Sequence, residues 1–182
     1  ESLAQLRQAK RILVLGSSGS GKTTFSRQLS QILRIPPIHL DSQFWRPGWL
    51  STPQDEWRQV VTELVRRDSW IMDGTYESTL PQRISAADCL IVIEQHRLTC
   101  LWRILKRKAT IDDHNRPDAP AGQPIDRAFV RYVWRYPKVT QPIVEDCLQR
   151  YGAGKTLITL RGNREVREFV SELRQEATNW AT

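Results

Sequence analysis

The chain has 182 residues, 40% apolar and 26% charged, and reads as one globular domain over residues 1–182, able to bury roughly 70% of its unfolded surface. Its longest clear apolar run, Leu90-Ile91-Val92-Ile93, is far short of the about 20 residues that cross a bilayer, and Glu1–Arg7 has no apolar signal core, so no membrane partner is expected and a cytoplasmic location is. The net charge of +7 is concentrated: ten Lys/Arg against four Asp lie between Arg97 and Lys138, a surplus suited to a phosphate-rich ligand, to nucleic acid or to plain solvated surface.

Arg11-Ile12-Leu13-Val14-Leu15 is apolar almost throughout, the pattern of a strand covered on both faces of a parallel sheet. After a glycine-rich turn, Phe25, Leu29, Ile32 and Leu33 recur at helical spacing and predict a helix from near Thr23. Ile35–Asp41 reads as a turn and a second short strand ending in an acid. Pro53–Arg67 is helical, with Asp55 and Glu56 at its positive end and Trp57, Val60, Val61 and Leu64 as its apolar stripe. Trp70-Ile71-Met72-Asp73 is a third strand, again ending in an acid, and Cys89–Ile93 a fourth. Leu98–Ala109 reads as a helix, 111–124 as a mobile Pro/Asp/Gly/Asn loop, and 125–136 and 139–151 as two helices broken at Pro137. Thr156–Leu160 is a fifth strand and Glu165–Thr178 a last helix. This alternation predicts a three-layer α/β fold: a five-stranded parallel sheet with helices on both faces. Cys89, Cys100 and Cys147 form no Cys-x-x-Cys pair and read as buried thiols rather than a disulfide frame or zinc site.

The turn itself carries chemistry. Gly16-Ser17-Ser18-Gly19-Ser20-Gly21-Lys22-Thr23 fits G-x-x-x-x-G-K-[ST], between a strand and a helix. Glycines there let successive backbone N–H groups converge on phosphate oxygens, and the helix beginning at Thr23, followed by Thr24, adds its positive end. Lys22 is placed to reach the β- and γ-phosphates, and the Thr23 hydroxyl to ligate Mg²⁺. The expected ligand is a nucleoside triphosphate, by preference ATP, because no Asn-Lys-x-Asp guanine reader exists.

Around the 111–124 loop the arginines are periodic. Leu98, Leu101, Trp102 and Leu105 make one stripe of the preceding helix, with Arg103 and Arg107 opposite; Arg127, Arg131 and Arg135 recur opposite Phe129, Tyr132, Val133 and Tyr136. They suit a lid that closes over a transferring phosphoryl group, or two solvated faces. Trp102 and Trp134 are expected in the core. Trp45 and Trp49, beside Pro47-Gly48, either stack on a ligand ring or pin their loop. His39 is expected to be packed and hydrogen-bonded. Asp41, at a strand's C-terminal end, is the acceptor-side candidate, able to take a proton from an attacking hydroxyl; its alternative is a turn cap for Ser42-Gln43.

The phosphate loop, "WIMDG" at 70–74, "ADCLIVIE" at 87–94 and "LWRILKR" at 101–107 make the chain, from about Lys10 to Leu173, resemble the adenylate-kinase-like small P-loop kinases. His39-Leu40-Asp41, Trp45-Arg46-Pro47-Gly48-Trp49 and Asp73-Gly74-Thr75-Tyr76 make it resemble most the subgroup labelled DNA topology modulation protein (FlaR-type). The resemblance implies an ATP-dependent kinase using Mg²⁺, with Asp73 at the Walker B position, where Glu94 is its rival. It implies Arg103 against the base, Arg107 against the γ-phosphate, Arg131 and Arg135 closing from a lid at about 108–138, and Arg161-Gly162-Asn163 around adenine. An acceptor segment at about 41–69 is implied too. Adenylate kinases carry an acceptor-binding Arg where this chain has Glu77, so AMP is put in doubt and Arg58 or Arg83 would have to substitute. The expected function is transfer of the ATP γ-phosphate to a nucleotide or other small molecule; the alternative is a nucleotide-dependent DNA-binding regulatory protein.

Overall fold

In a computed structural model, the structure describes residues 2–110, 119–120 and 122–179. Five parallel strands form the central sheet: β1 (Arg11–Leu15), β2 (Pro37–His39), β5 (Trp70–Asp73), β6 (Cys89–Glu94) and β7 (Thr156–Arg161), in the order β2-β5-β1-β6-β7. Two short strands between them, β3 (Trp45–Arg46) and β4 (Leu50–Ser51), pair antiparallel as a separate hairpin. The registers Val14↔Asp73 and His39↔Asp73 bring the C-terminal ends of β1, β2 and β5 side by side. Parallel strands end together, so the acids and loops that follow them gather at one edge.

Side-chain alternation along β1 builds two cores. Leu13 and Leu15 point to a cluster with Trp57, Trp70, Met72, Leu80 and Ile84, whereas Ile12 and Val14 join Phe25, Leu29, Ile71, Ile91 and Leu173. The first face is covered by α4 (Gln54–Val65), α5 (Leu80–Ala86) and α7 (Arg127–Tyr151); the second by α1 (Ser2–Gln8), α2 (Lys22–Leu33) and α8 (Gly162–Asn179). Each fully buried Leu, Ile, Val or Phe contributes about 1.5–3 kcal/mol, which makes these two layers the frame on which the site rests. Two further helices are α3 (Leu40–Phe44) and α6 (Arg97–Thr110). No described helix is long and apolar enough to cross a membrane.

The structure departs from the sequence expectations at several points. Residues 127–151 form one helix rather than two, running through Pro137 and Pro142. Each proline removes one backbone hydrogen bond, at a cost of about 3 kcal/mol in a helix interior. Both prolines are exposed, and the inward face Val133, Tyr136, Thr140, Val144 and Cys147 continues past them, so packing holds the helix together. The 111–124 loop falls largely outside the described residues. Trp102 and Trp134 are not core: they are 60% and 42% exposed, with Lys106 Nζ 4.9 Å from the Trp102 ring centre and the Arg97 guanidinium 4.0 Å from that of Trp134.

The phase of α6 is the cause. Leu98, Trp102 and Leu105 face outward, whereas Cys100 and Ile104 are buried with Arg103 and Arg107 half-buried beside them. Besides a small apolar cluster of Cys100, Ile104 and Val133, what α6 meets inside is the polar backbone of the glycine-rich loop, which needs donors. The three cysteines are buried and free, and burial pushes the Cys89 thiol up to about 12.

Candidate active site

The turn after β1 has the backbone that only glycine tolerates. Gly16, Gly19 and Gly21 have φ of 147°, 79° and 99°. Space is as tight as torsion: a Cβ on Gly16 would lie 2.5 Å from the Ile93 carbonyl oxygen, and one on Gly19 2.5 Å from that of Cys100. The loop is thus pressed against β6 and α6, with the amides of α2's first turn beside it. Inside it Lys22 Nζ donates to the Ser17 carbonyl at 2.9 Å, and the buried Ser20 hydroxyl has no protein partner. A glycine turn leading into a helix N-terminus, one ammonium and a buried hydroxyl without a protein partner fit a triphosphate. Gly19→Ala is expected to abolish nucleotide binding, read by calorimetry with ATP and Mg²⁺. Fold stability should also fall by about 1–3 kcal/mol.

Arg103 braces the loop from behind. Its Nη1 donates to the carbonyls of Gly19 at 3.1 Å and Ser20 at 3.0 Å, and its Nη2 to Asn163 Oδ1. Gln95 Nε2 donates to the same Asn163 oxygen at 2.6 Å. Next to them Arg161 pairs with Glu94 at 3.1 Å and donates its backbone N–H to Glu165 at 2.6 Å. Instead of a wrapping turn at 161–163, α8 begins directly at Gly162. Arg107 Nη2 donates to Gln123 Oε1 at 2.8 Å.

The other wall holds acids. Asp73, at the end of β5, is buried, with Oδ2 2.6 Å from His39 Nδ1, so His39 is packed and hydrogen-bonded. Asp41, in the first turn of α3, accepts from the Tyr76 hydroxyl at 2.6 Å. Burial lowers the Lys22 pKa from its ordinary value, while the charges of Asp41 and Asp73 pull it back up. Burial, and then Asp41, push the Tyr76 phenol far above its usual range, so Tyr76 stays a donor to the carboxylate. Among the described residues no cluster of three or more His, Cys, Asp or Glu side chains could hold a metal alone. A Mg²⁺ that arrives with a triphosphate needs no such cage, because phosphates and water supply most of its ligands.

Lys22 and Asp41 open into one cavity of about 680 Å³. Aromatic side chains line it: Phe44, Trp45 and Trp49 from α3 and the hairpin, Tyr76 after β5, and Phe129 and Tyr132 from α7. Phe44 stacks edge-on with Trp45 at 4.9 Å and Trp45 meets Trp49 at 5.4 Å.

Arg58, Arg83, Arg131 and Arg135 do not line this cavity. Arg58 lies on the exposed face of α4, 3.2 Å from Asp55. Arg131 and Arg135 are exposed on the outer side of α7, which turns Tyr132 to the cavity instead. Arg83 is fully buried: Nη1 donates to the Gly74 carbonyl at 2.8 Å, Nη2 to those of Thr75 and Tyr76, and Nε to Thr79 Oγ1 at 3.2 Å. Burial lowers its pKa to about 9, still well above neutrality, so it is a buried cation held by carbonyls. Thr75 Oγ1 in turn donates to the Gly16 carbonyl at 3.0 Å and lies 3.2 Å from the Tyr136 hydroxyl, tying this segment to the phosphate loop. The sequence reading missed Arg83 as a backbone clamp and missed Phe129 and Tyr132 as cavity walls. Tyr76 had a signal, its place after Asp73-Gly74.

No protein-family model matches the chain, and no curated protein matches it in sequence. Solved structures do match. A shikimate kinase from Acinetobacter baumannii in complex with shikimate aligns with a TM-score of 0.60 at 17% identity, over 98% of each chain. A gluconokinase from Sinorhizobium meliloti 1021 aligns with a TM-score of 0.51 at 17% identity, over 93% of this chain and 94% of that one. A shikimate kinase from Aquifex aeolicus vf5 gives 0.50 at 19%, over 94% and 98%. The chain therefore has the three-layer α/β fold of these small P-loop kinases.

Proposed function

We propose that the chain is an ATP-dependent, Mg²⁺-assisted phosphotransferase that moves the γ-phosphoryl group to a hydroxyl of a small-molecule acceptor. One observation carries this reading: the phosphate-loop ammonium Lys22 and the carboxylate Asp41 line the same cavity. A switch or motor NTPase needs a water there; a cavity of about 680 Å³ has room for a second substrate.

Each residue has a role in this reading. The amides from Gly16 to Thr24 and Lys22 hold the phosphates, Lys22 leaving the Ser17 carbonyl for a phosphate oxygen. Thr23 and Asp73, the latter through water, hold Mg²⁺, which supplies positive charge against the oxygens of the transferring group. Arg107 adds a second cation, and Arg103, Arg161 and Asn163 border adenine. Tyr76 orients Asp41, and Asp41 takes the proton of the attacking hydroxyl. In this conformation Arg131 and Arg135 lie outside the cavity, so a lid role for the segment around 108–138 requires movement.

The test is a transfer screen with labelled ATP across nucleotides, nucleosides and hydroxylated metabolites. Asp41→Asn should cut acceptor-dependent turnover about 100- to 10,000-fold while ATP binding is unchanged. An Asp41→Asn enzyme that transfers at the parental rate would count against the reading.

A second reading has its own observation. Lys106 over Trp102, Arg97 over Trp134, and the exposed Arg127 and Arg131 make a basic, aromatic outer face on α6 and α7. Such a face suits a DNA backbone. Duplex retardation that falls steeply with salt, is lost in Arg127→Ala/Arg131→Ala and survives Lys22→Ala would favour it.

A further inference from the structure

The acceptor cavity carries a charge pattern that restricts what it can hold. Among the described residues lining it, Lys22 is the one cationic side chain, and the triphosphate claims that ammonium. The lining acids are Asp41, Glu77 and Asp126. Asp126 is also used by the fold: its Oδ1 accepts from the Phe129 N–H at 2.7 Å and caps α7.

Of the arginines on the surrounding elements, Arg107 donates to Gln123 and is assigned above to the transferring phosphoryl group, and three others are committed elsewhere. Arg46, in β3, pairs with Glu56; Arg58 pairs with Asp55; Arg83 is sealed against three carbonyls. Among the described residues, an anionic acceptor entering this space would meet carboxylates and aromatic side chains rather than guanidinium forks. A phosphate or carboxylate buried without such a partner is strongly disfavoured.

Ring faces and acids favour the opposite kind of molecule. Aromatic walls stack on flat rings and attract cations, and carboxylates accept from hydroxyl and ammonium groups.

Resting on the phosphotransferase reading above, we infer that the acceptor is a flat, hydroxyl-bearing ring compound with no acidic group, either neutral or positively charged. A nucleoside and an aromatic amino alcohol share this chemistry. In the transfer step the acceptor hydroxyl oxygen bonds to the γ-phosphorus as the bond from that phosphorus to the β–γ bridging oxygen breaks. ADP leaves with that electron pair, and the hydroxyl proton passes to Asp41 and then to solvent.

The experiment compares matched pairs that differ by one anionic group: adenosine with AMP, thymidine with TMP, and tyrosinol with tyrosine. Binding to the full chain is followed by tryptophan fluorescence, since Trp45 and Trp49 line the cavity, with a saturating non-hydrolysable ATP analogue and Mg²⁺ present so that Lys22 is occupied. At least one non-anionic member should bind about tenfold or more tightly than its anionic partner, and Glu77→Arg should narrow that gap. The nucleoside and amino-alcohol arms then separate the two sources.

Equal or tighter binding of the anionic members, or no binding by any member, overturns the inference. Transfer is assayed separately with ATP. Selective binding without transfer would sink the phosphotransferase reading and leave the ligand class standing. Transfer to a phosphorylated or carboxylated acceptor would do the reverse.

Discussion

Lys22→Ala will reduce acceptor-dependent phosphate transfer about 100- to 1,000-fold and will not lower the melting temperature of the nucleotide-free protein. The first half follows from where the ammonium is, at the head of α2, inside the glycine turn and on the cavity wall, where the proposed reaction would have charge build up on the moving phosphoryl group. Removing one preorganised donor of this kind typically costs that much. The second half follows from its pKa. Burial lowers it from the ordinary value, so the charged form is less stable here than in water, the carboxylates of Asp41 and Asp73 only partly offsetting this. A depressed lysine pKa means that folding opposes the charge at neutral pH, and that this opposition relaxes as pH rises toward the unfolded value. Deleting the charge removes the penalty along with one hydrogen bond to the Ser17 carbonyl. Thermal scans with and without ATP check both halves: the parent should gain stability from ATP by mass action and the variant should not. A variant melting well below the parent without nucleotide would show that Lys22 holds the loop together.

Arg83→Met is expected to do the opposite kind of damage. The guanidinium satisfies three consecutive carbonyls, Gly74 to Tyr76, and the Thr79 hydroxyl, from a fully buried position. Methionine fills much of the volume and donates nothing, leaving several acceptors dry. The cost should be about 3–5 kcal/mol, since several buried acceptors lose a charged donor at about 1–3 kcal/mol each. For a chain of this size that lowers the melting temperature by on the order of 10 °C. Arg83→Lys should rescue little, because one ammonium cannot reproduce a planar fork over three carbonyls. The segment it clamps carries Tyr76, so Asp41 loses its orienting donor as well. Acceptor KM should rise at temperatures where the variant is still folded, while ATP affinity changes little.

The sequence made the sheet legible because parallel strands buried on both faces are apolar almost without interruption, as at Ile12–Leu15 and Leu90–Ile93. It also made the glycine-rich turn legible, because few sequences other than Gly-rich ones allow φ above +70° three times within six residues where neighbouring backbone leaves no room for a Cβ. The phase of α6 was not legible. Reading Leu98, Trp102 and Leu105 as the inner face assumes that a helix packs on hydrocarbon alone; here the inner face is split between a small apolar cluster at Cys100 and Ile104 and loop carbonyls that Arg103 satisfies. Arg83 misled in the converse sense. An arginine near the proposed acceptor cavity suggests anion binding, but pairing with backbone carbonyls seven to nine residues upstream leaves no trace in residue spacing. Pro137 misled because local geometry predicts a break, and the inward face that overrides it depends on tertiary neighbours.

The strut formed by Arg103 has a kinetic corollary. It joins the glycine turn to the head of the last helix through protein groups alone, with hydrogen bonds at 3.1 and 3.0 Å on the turn. A receptor shaped in advance loses little freedom at capture, so encounter rather than rearrangement should set the speed of uptake. Stopped-flow traces of a fluorescent ATP analogue should then be single-phased and linear in concentration, and Arg103→Ala should introduce a saturating slow phase.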